Sequence, residues 1–226
     1  MTLSLRRFAL ALLGLSLTVL AIAVAAPGAP EAASSKALKG TFRLKAGSYS
    51  GGKARGTYFR MIYPGAARRY FANPDSSASN KTYTLGRAGS DGGLATGRFQ
   101  PHPNPPFDKQ GNARASRIIR PQPFTQITFT VATLSRDPRT KKRSAVTSAR
   151  VSGRNLTVRV PGYTAEWNKQ YFNQGAPKPD GSGSPATGKF NARTKHFTLS
   201  WTSKISGGPF NGFSGFWHLE GTFSPR

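Results

Sequence analysis

Residues 196–202, HFTLSWT, and residues 213–223, FSGFWHLEGTF, decide the fold class. In both stretches large apolar residues alternate with polar ones, a period of two that is typical of a β-strand with one face in a core. The alternation recurs at residues 127–131 and 156–160, and Gly, Pro, Asn and Asp separate the runs. Successive strands with turn residues between them predict a mainly β, antiparallel protein. We expect a β-sandwich, with a β-barrel as the alternative.

One short helix is expected, from Ala165 to Asn173. Thr164 is placed to cap its start and Gly175 to close its end. On such a helix Trp167 and Tyr171 are four residues apart, so they share a face and form an aromatic platform. This platform can stack on a sugar ring, as in a carbohydrate-binding module, or it can pack the helix onto the sheet. The sequence leaves both interpretations open.

The N-terminus has the three zones of a secretory signal peptide. Arg6-Arg7 precedes an uncharged apolar run at residues 8–26, and Ala23-Val24-Ala25 supplies the small residues of a cleavage site. We therefore expect a signal peptide at residues 1–25. Because the apolar run is nearly long enough to cross a bilayer, an uncleaved anchor is the alternative. Either interpretation makes the protein extracytoplasmic, secreted or in the cell envelope.

The rest of the chain is expected to hold a flexible lead-in at residues 26–39 and a single β-rich domain at residues 40–226. There is no cysteine. This excludes disulfides, cysteine nucleophiles, thiolate metal sites and the lipid-anchored bacterial proteins that need a cysteine at their cleavage site. The domain must therefore be stable through burial alone.

The charge balance is strongly positive. The chain has 33 Lys and Arg against 8 Asp and Glu, a formal net charge of +25. Such a field attracts polyanions, so we expect an anionic polymer as partner: wall polymer, acidic polysaccharide or nucleic acid. Charge that serves only solubility is the alternative. Membrane contact is expected only through an uncleaved N-terminal segment.

The strongest local charge feature is the connection between two expected strands at residues 136–143. Asp137 is its single acidic residue. Arg and Lys at a hairpin tip can bind phosphate or carboxylate groups, and Arg can do so bidentately. The alternative is a basic loop that only keeps edge strands from pairing with other molecules. The residues predicted to bind a polyanion are Arg136, Arg139, Lys141, Lys142 and Arg143.

No catalytic residue, metal site or cofactor is expected. No G-x-S-x-G or H-E-x-x-H motif is present, and the histidines are scattered. His102 lies in a proline-rich stretch that is expected to be extended and exposed. His218 and Glu220 are two residues apart on an expected strand, so they share a face. This pair keeps a hydrolase of polysaccharides or esters open as an alternative.

Several strings carry a resemblance: YFANPD at residues 70–75, GSDGGL at 89–94, GPFNGF at 208–213 and WHLEGTF at 217–223. In these strings the chain, from Gly40 onward, resembles exported actinobacterial proteins of unknown function. The resemblance implies export and a bacterial source, and it supplies no catalytic residue. The sequence thus predicts an exported, non-enzymatic β-sandwich protein that associates electrostatically with anionic cell-envelope or extracellular polymers. A secreted hydrolase and a carbohydrate-binding module are the alternatives.

Overall fold

The computed structural model describes residues 34–226, which fold into strands, turns and loops without a helix. The predicted signal peptide and residues 26–33 of the predicted lead-in lie outside the described residues. The strands are β1 (Lys36–Leu38), β2 (Gly40–Leu44), β3 (Ser48–Ser50), β4 (Lys53–Arg55), β5 (Tyr58–Ile62), β6 (Thr84–Leu85), β7 (Gly93–Ala95), β8 (Gln122–Phe124), β9 (Ile127–Thr133), β10 (Ser148–Ser152), β11 (Asn155–Arg159), β12 (Tyr163–Trp167), β13 (Gln170–Asn173), β14 (Ala186–Phe190), β15 (His196–Lys204) and β16 (Ser214–Pro225).

The prediction of a mainly β protein with antiparallel pairing is confirmed. The sandwich architecture stays a prediction. At the described end of the predicted lead-in, β1 pairs with β10. Between residues 34 and 226 there is no helix with the length and apolar character that a membrane span requires.

Ten strands form one large antiparallel sheet. Its order is β1-β10-β11-β14-β15-β16-β2-β7, and β5 and β6 branch from it beside β16. The branch arises because the twelve-residue β16 is long enough for two successive partners along one edge. Residues 214–218 pair with β5, and residues 221–225 pair with β2. The sheet is therefore curled into a half-barrel rather than flat.

Glycines allow neighbouring strands of this curled sheet to approach closely. A Cβ atom at Gly188 would lie 1.8 Å from the carbonyl oxygen of Thr198, and one at Gly221 would lie 1.9 Å from that of Arg43. Glycine within a strand commonly marks a bend or a close backbone approach. Any side chain at these two positions would force the strands apart.

A second sheet, in the order β13-β12-β9-β8, packs against the inner face of the large sheet. Aromatic rings make the contact. Tyr163 of β12 lies edge-on to Trp217 and Trp201, with ring centroids 5.0 and 5.1 Å apart. All three side chains are buried. Their large apolar area and favourable ring geometry give a disulfide-free domain much of its stability.

The other face of the small sheet is covered by the segment between β7 and β8. In this segment the ring of Phe107 packs on Tyr171 with centroids 5.3 Å apart, and the Ile119 carbonyl accepts a 3.1 Å hydrogen bond from Thr130 Oγ1. Both faces of the small sheet are therefore enclosed. This explains why the last five residues of β9 are all buried instead of alternating.

The helix predicted at Ala165–Asn173 is wrong, because these residues lie in the β12–β13 hairpin. Asn168 and Lys169 have φ angles of 47° and 58°. Positive φ at both central residues is what a type I′ hairpin turn requires, and Asn adopts it more readily than most residues. The chain therefore reverses at the position where a helix would have continued.

Candidate polyanion-binding surface

The outward-facing side chains of the large sheet form a polar surface, which we call the basic face. The strand register places six side chains next to one another across six strands, from β10 to β5. Adjacent strands are about 4.8 Å apart, so the row spans about 24 Å. The row consists of Arg150, Thr157, Thr187, Ser200, His218 and Tyr58.

Positive charge dominates the basic face. Glu220 is the one acidic residue within the strands of the large sheet. Lys45 lies 3.6 Å from its carboxylate and is the one Lys or Arg side chain that the structure places beside it. Of the seven cations of the basic face, only Arg60 is half-buried, and the other six are exposed. The seven are Arg43, Lys45, Arg60, Arg150, Arg159, Lys189 and Lys204.

A chain of polar contacts runs through the centre of the basic face. Ser200 Oγ lies 2.8 Å from His218 Nδ1. His218 Nε2 lies 4.0 Å from Glu220 Oε2, which accepts a hydrogen bond of 2.8 Å from the Gly56 N–H. The ring of Tyr58 stacks on the imidazole with centroids 4.8 Å apart. These contacts hold the half-buried imidazole in a fixed orientation.

The titration of this centre follows from its burial and its charges. Burial lowers the pKa of His218, although the Glu220 carboxylate opposes the shift. Burial acts to raise the pKa of Glu220, but hydrogen bonds from Gly56 and His196 and the charge of Lys45 together lower it. At neutral pH the imidazole is therefore uncharged and the carboxylate is ionised.

Ser200, His218 and Glu220 follow the order of a catalytic triad but lack part of its geometry. A neutral imidazole 2.8 Å from a serine hydroxyl can accept the hydroxyl proton. The 4.0 Å between His218 and Glu220 is longer than a hydrogen bond. Ser200 also lies within β15 rather than on a sharp turn. The arrangement supports proton exchange between Ser200 and His218, not a complete triad.

Aromatic rings cover the β5 end of the basic face, a feature that the sequence reasoning missed. Tyr83 lies between Tyr58 and Tyr49, with ring centroids 5.2 Å from each. The Arg60 guanidinium carbon lies 3.2 Å from the ring centroid of Tyr70 and 4.1 Å from that of Tyr83. Because two rings already hold Arg60 by cation–π contact, its charge is less available to an external anion than that of its neighbours.

The predicted polyanion-binding loop, residues 136–143, is a tight hairpin closed by a β-bridge between its first and last residues. Asp137 is buried, and its Oδ1 accepts 2.8 Å hydrogen bonds from the N–H groups of Arg139 and Thr140. The only acid of the loop thus holds the loop backbone. All five predicted cations are exposed: Arg136, Arg139, Lys141, Lys142 and Arg143.

Lys178 connects this basic loop to the basic face. Its Nζ donates a hydrogen bond to the carbonyl oxygen of Lys204 at the end of β15, and it lines a small cavity together with Asp137 and Arg139. Burial lowers the pKa of Lys178, and the charges of Arg139 and Lys204 add to the shift, whereas Asp180 and Asp137 oppose it. The basic loop therefore adjoins one end of the basic face. We call the two together the basic surface.

The predicted aromatic platform is not assembled. Trp167 and Tyr171 lie on opposite faces of the β12–β13 hairpin, because Tyr171 is paired with Glu166, the residue before Trp167. Trp167 Nε1 donates to the Phe124 carbonyl at 2.8 Å. The ring of Tyr171 packs on Phe107, with centroids 5.3 Å apart, in the segment that covers the small sheet. The predicted stacking of a sugar ring required both aromatic rings on one face, and the two rings do not share a face.

A buried pair, His102 and Glu166, was also missed from the sequence. Glu166 is completely buried, and its Oε1 lies 2.5 Å from His102 Nδ1. No hydrogen-bond partner for Glu166 Oε2 occurs in the described part of the chain. Burial raises the pKa of Glu166, whereas the hydrogen bond and the charge of His102 act to lower it. The expectation of an exposed His102 is wrong, since its side chain is only 24% exposed.

From residue 34 onward, no three His, Asp or Glu side chains cluster closely enough to hold a metal ion. No protein-family model, curated protein or solved structure matches this chain. Family membership and function therefore stay predictions.

Proposed function

We propose that the protein is an exported, non-enzymatic β-sandwich protein that binds anionic polymers of the cell envelope or the extracellular space through its basic surface. The observation that carries this proposal is the excess of exposed cations on one sheet face and in the loop beside it. Seven Lys and Arg side chains and one carboxylate belong to a single sheet face, and five more exposed cations lie in the adjoining loop. A surface that serves solubility alone usually mixes both signs of charge.

Most of these cations are free to bind an external anion. Within residues 34–226, only Lys45, Arg98 and Arg117 have a carboxylate within 4 Å, and only Lys45 belongs to the basic face. Exposed ammonium and guanidinium groups without internal counter-charges attract phosphate, sulfate or carboxylate groups from solution. Their interaction is screened by salt over about 10 Å at 0.1 M.

The shape of the basic face suits an extended polymer. The row from Arg150 to Tyr58 crosses six strands, and Thr157, Thr187 and Ser200 present hydroxyl groups between its charged and aromatic ends. Hydroxyl groups can both donate and accept hydrogen bonds, so they suit the polar backbone between successive anionic groups. A polymer along this row would contact cations and hydroxyls over about 24 Å.

The proposal is tested by the retention of the purified protein on heparin-agarose and on immobilised anionic wall polymer, with uncharged dextran as the control matrix. Several simultaneous contacts with a polyanion make affinity fall steeply with salt, by about a thousandfold or more between about 50 and 200 mM for six contacts. We therefore expect strong retention at low salt and elution over a narrow salt range. Absent retention, or retention that salt does not change, would contradict the proposal.

Export is tested separately. In fractionated cells we expect the protein outside the cytoplasm with a new N-terminus at Ala26, read by mass spectrometry of the N-terminal peptide. A larger extracytoplasmic species that keeps Met1 would identify the uncleaved anchor. Intact protein in the cytoplasm would contradict export.

A secreted hydrolase is the second candidate function, favoured by the 2.8 Å contact between Ser200 Oγ and His218 Nδ1. The purified protein is screened against polysaccharides and esters, alongside Ser200→Ala and His218→Ala. Turnover that both substitutions abolish would assign catalysis to this pair. Turnover that neither changes, or no turnover in the unmodified protein, would exclude it.

A further inference from the structure

A polar cavity of about 300 Å³ lies where β6 of the large sheet meets β8 of the small sheet. Its lining includes the hydroxyl-bearing Ser76, Ser77 and Thr84 and two arginines, Arg87 and Arg120. A volume of this size is at the lower end of the range for small-molecule sites. The two arginines give the cavity its chemical character.

Arg87 and Arg120 face each other at this cavity. Ala88 and Ile119 form an antiparallel β-bridge, and the Arg120 N–H donates to the Arg87 carbonyl oxygen at 2.9 Å. Arg87 and Arg120 are therefore the next opposed pair, and opposed residues project to the same side of an antiparallel ladder. Like charges placed directly opposite each other are destabilising. The arrangement therefore has an electrostatic cost that a bound anion would relieve.

Neither arginine has a side-chain partner among residues 34–226. Both residues are exposed, and within the described chain neither guanidinium makes a hydrogen bond, an ion pair or a ring contact. Asp75 also lines the cavity, but its Oδ2 accepts a 2.5 Å hydrogen bond from the Gln126 N–H. With Asp75 counted, the lining keeps a net charge of +1.

We infer that Arg87 and Arg120 bind one phosphate group. Each guanidinium presents several N–H donors in a planar fork, and a phosphate group offers more acceptor oxygens and up to twice the negative charge of a carboxylate. A phosphate has enough oxygens for both forks, and its charge offsets the repulsion between them. The exposed Ser77 hydroxyl supplies a further donor at the same cavity. This inference goes beyond the proposed function, because Arg87 and Arg120 do not belong to the basic surface and the phosphate group can be part of a polymer or of a small ligand.

The experiment is a titration with inorganic phosphate, compared with sodium chloride at equal ionic strength. Binding is followed by calorimetry and by the rise in Tm. Charge-assisted hydrogen bonds are strong enough that Arg87→Gln or Arg120→Gln should weaken phosphate binding about tenfold or more. Arg68→Gln is the matched control, because Arg68 is exposed, has no side-chain partner in the described part of the chain and does not line the cavity. Arg87→Lys, which keeps the charge but not the fork, should give an intermediate loss.

Two further arms distinguish the sources of the phosphate. Glycerol 3-phosphate offers a monoester, and a poly(glycerol phosphate) chain offers diesters. Tighter binding of the monoester would identify a small phosphorylated ligand, and tighter binding of the chain would identify a polymer. Either result supports the site if Arg87→Gln abolishes the preference.

The inference is overturned if phosphate and chloride act alike, or if the double variant of Arg87→Gln and Arg120→Gln responds to phosphate as the unmodified protein does. Heparin carries sulfate and carboxylate groups but no phosphate. Salt-sensitive retention on heparin without a phosphate response would therefore refute this site and leave the proposed function standing. A phosphate response without retention on any polyanion would support this phosphate site and contradict the proposed function.

Discussion

The buried Glu166 carboxylate and the His102 imidazole, 64 positions apart in the chain, lie 2.5 Å from each other. The contact joins the segment that covers the small sheet to the middle of the β12–β13 hairpin. A carboxylate without solvent contact is costly unless it is hydrogen-bonded, and His102 is the one partner of Glu166 in the described chain. We therefore assign this pair a structural role: it holds the segment between β7 and β8 against the small sheet.

His102→Ala should lower the free energy of unfolding by about 3 kcal/mol, because it leaves a buried carboxylate without its partner. Glu166→Gln should cost less, about 1 kcal/mol, since the amide is uncharged and can still hydrogen-bond to His102. Urea unfolding measures both changes. Lys109→Ala is the control, because Lys109 is exposed. A His102→Ala protein as stable as this control would contradict the structural role.

The stability of the protein should fall at mildly acidic pH because of His218. Burial lowers the pKa of this imidazole below its ordinary value of 6.5. Between pH 6.5 and the lower native pKa, the unfolded chain binds a proton that the native protein does not. The free energy of unfolding therefore decreases as the pH falls through this window. His218→Gln should make this decrease smaller in urea unfolding from about pH 8 to about pH 5. The same decrease in both proteins would show that His218 is not responsible.

Asp137 should control the order of the basic loop. Asp137→Ala removes the acceptor of two backbone N–H groups, so we expect a loss of about 1 to 2 kcal/mol and a more mobile loop. Limited trypsin digestion should then cleave at residues 136–143 several times faster, although the substitution removes no trypsin site. Lys109→Gln, at an exposed residue elsewhere, is the control. Unchanged cleavage within the loop would show that Asp137 does not order it.

Trp167 and Tyr171 should act independently, because they lie on opposite faces of their hairpin. Trp167→Ala removes a ring that packs on Phe210 and donates a hydrogen bond to the Phe124 carbonyl, so it should lower stability by about 2 kcal/mol. Tyr171→Ala should loosen the covering segment at Phe107 instead, which hydrogen exchange of residues 100–113 would report. A shared loss of sugar binding in both variants would contradict this separation.

The strands that the sequence predicted best are those with one buried face. At residues 196–204 and 214–225 apolar and polar positions alternate, and the observed strands β15 and β16 bury the apolar set, including Trp201 and Trp217. This pattern is local, so it is readable in the sequence. The branching of β16 between β5 and β2 is not local, because it depends on which distant strands meet its two halves.

The helix prediction failed because the sequence contains only part of the signal for a hairpin turn. The spacing of Trp167 and Tyr171 fits a helix face, and it also fits two strands joined at Asn168 and Lys169. The Asn in a two-residue connection is a hairpin signal, but the Gly that usually follows it is replaced by Lys169. The contact of His102 with Glu166 had no sequence signal, because only the tertiary fold brings residues so distant together.

The basic loop could be predicted from the sequence, because its Lys and Arg residues are close together in the chain. The basic face could not be predicted in this way. Arg43, Arg150 and Lys189 lie far apart in the chain, and only the strand register places them on one side of the sheet. The same holds for Arg87 and Arg120, which a single β-bridge brings opposite each other.

Binding of a fluorescent heparin oligosaccharide as a function of salt tests the central claim most directly. One variant removes two cations of the basic face, Arg159→Gln with Lys189→Gln. The other removes two exposed cations elsewhere, Arg68→Gln with Lys109→Gln, and has the same net charge. We expect the first variant to bind more weakly and to have a slope of log K against log salt that is smaller in magnitude by up to about 2, whereas the second should change the slope little. Equal losses in the two variants would show that net charge alone attracts the polymer and would contradict binding by the basic face.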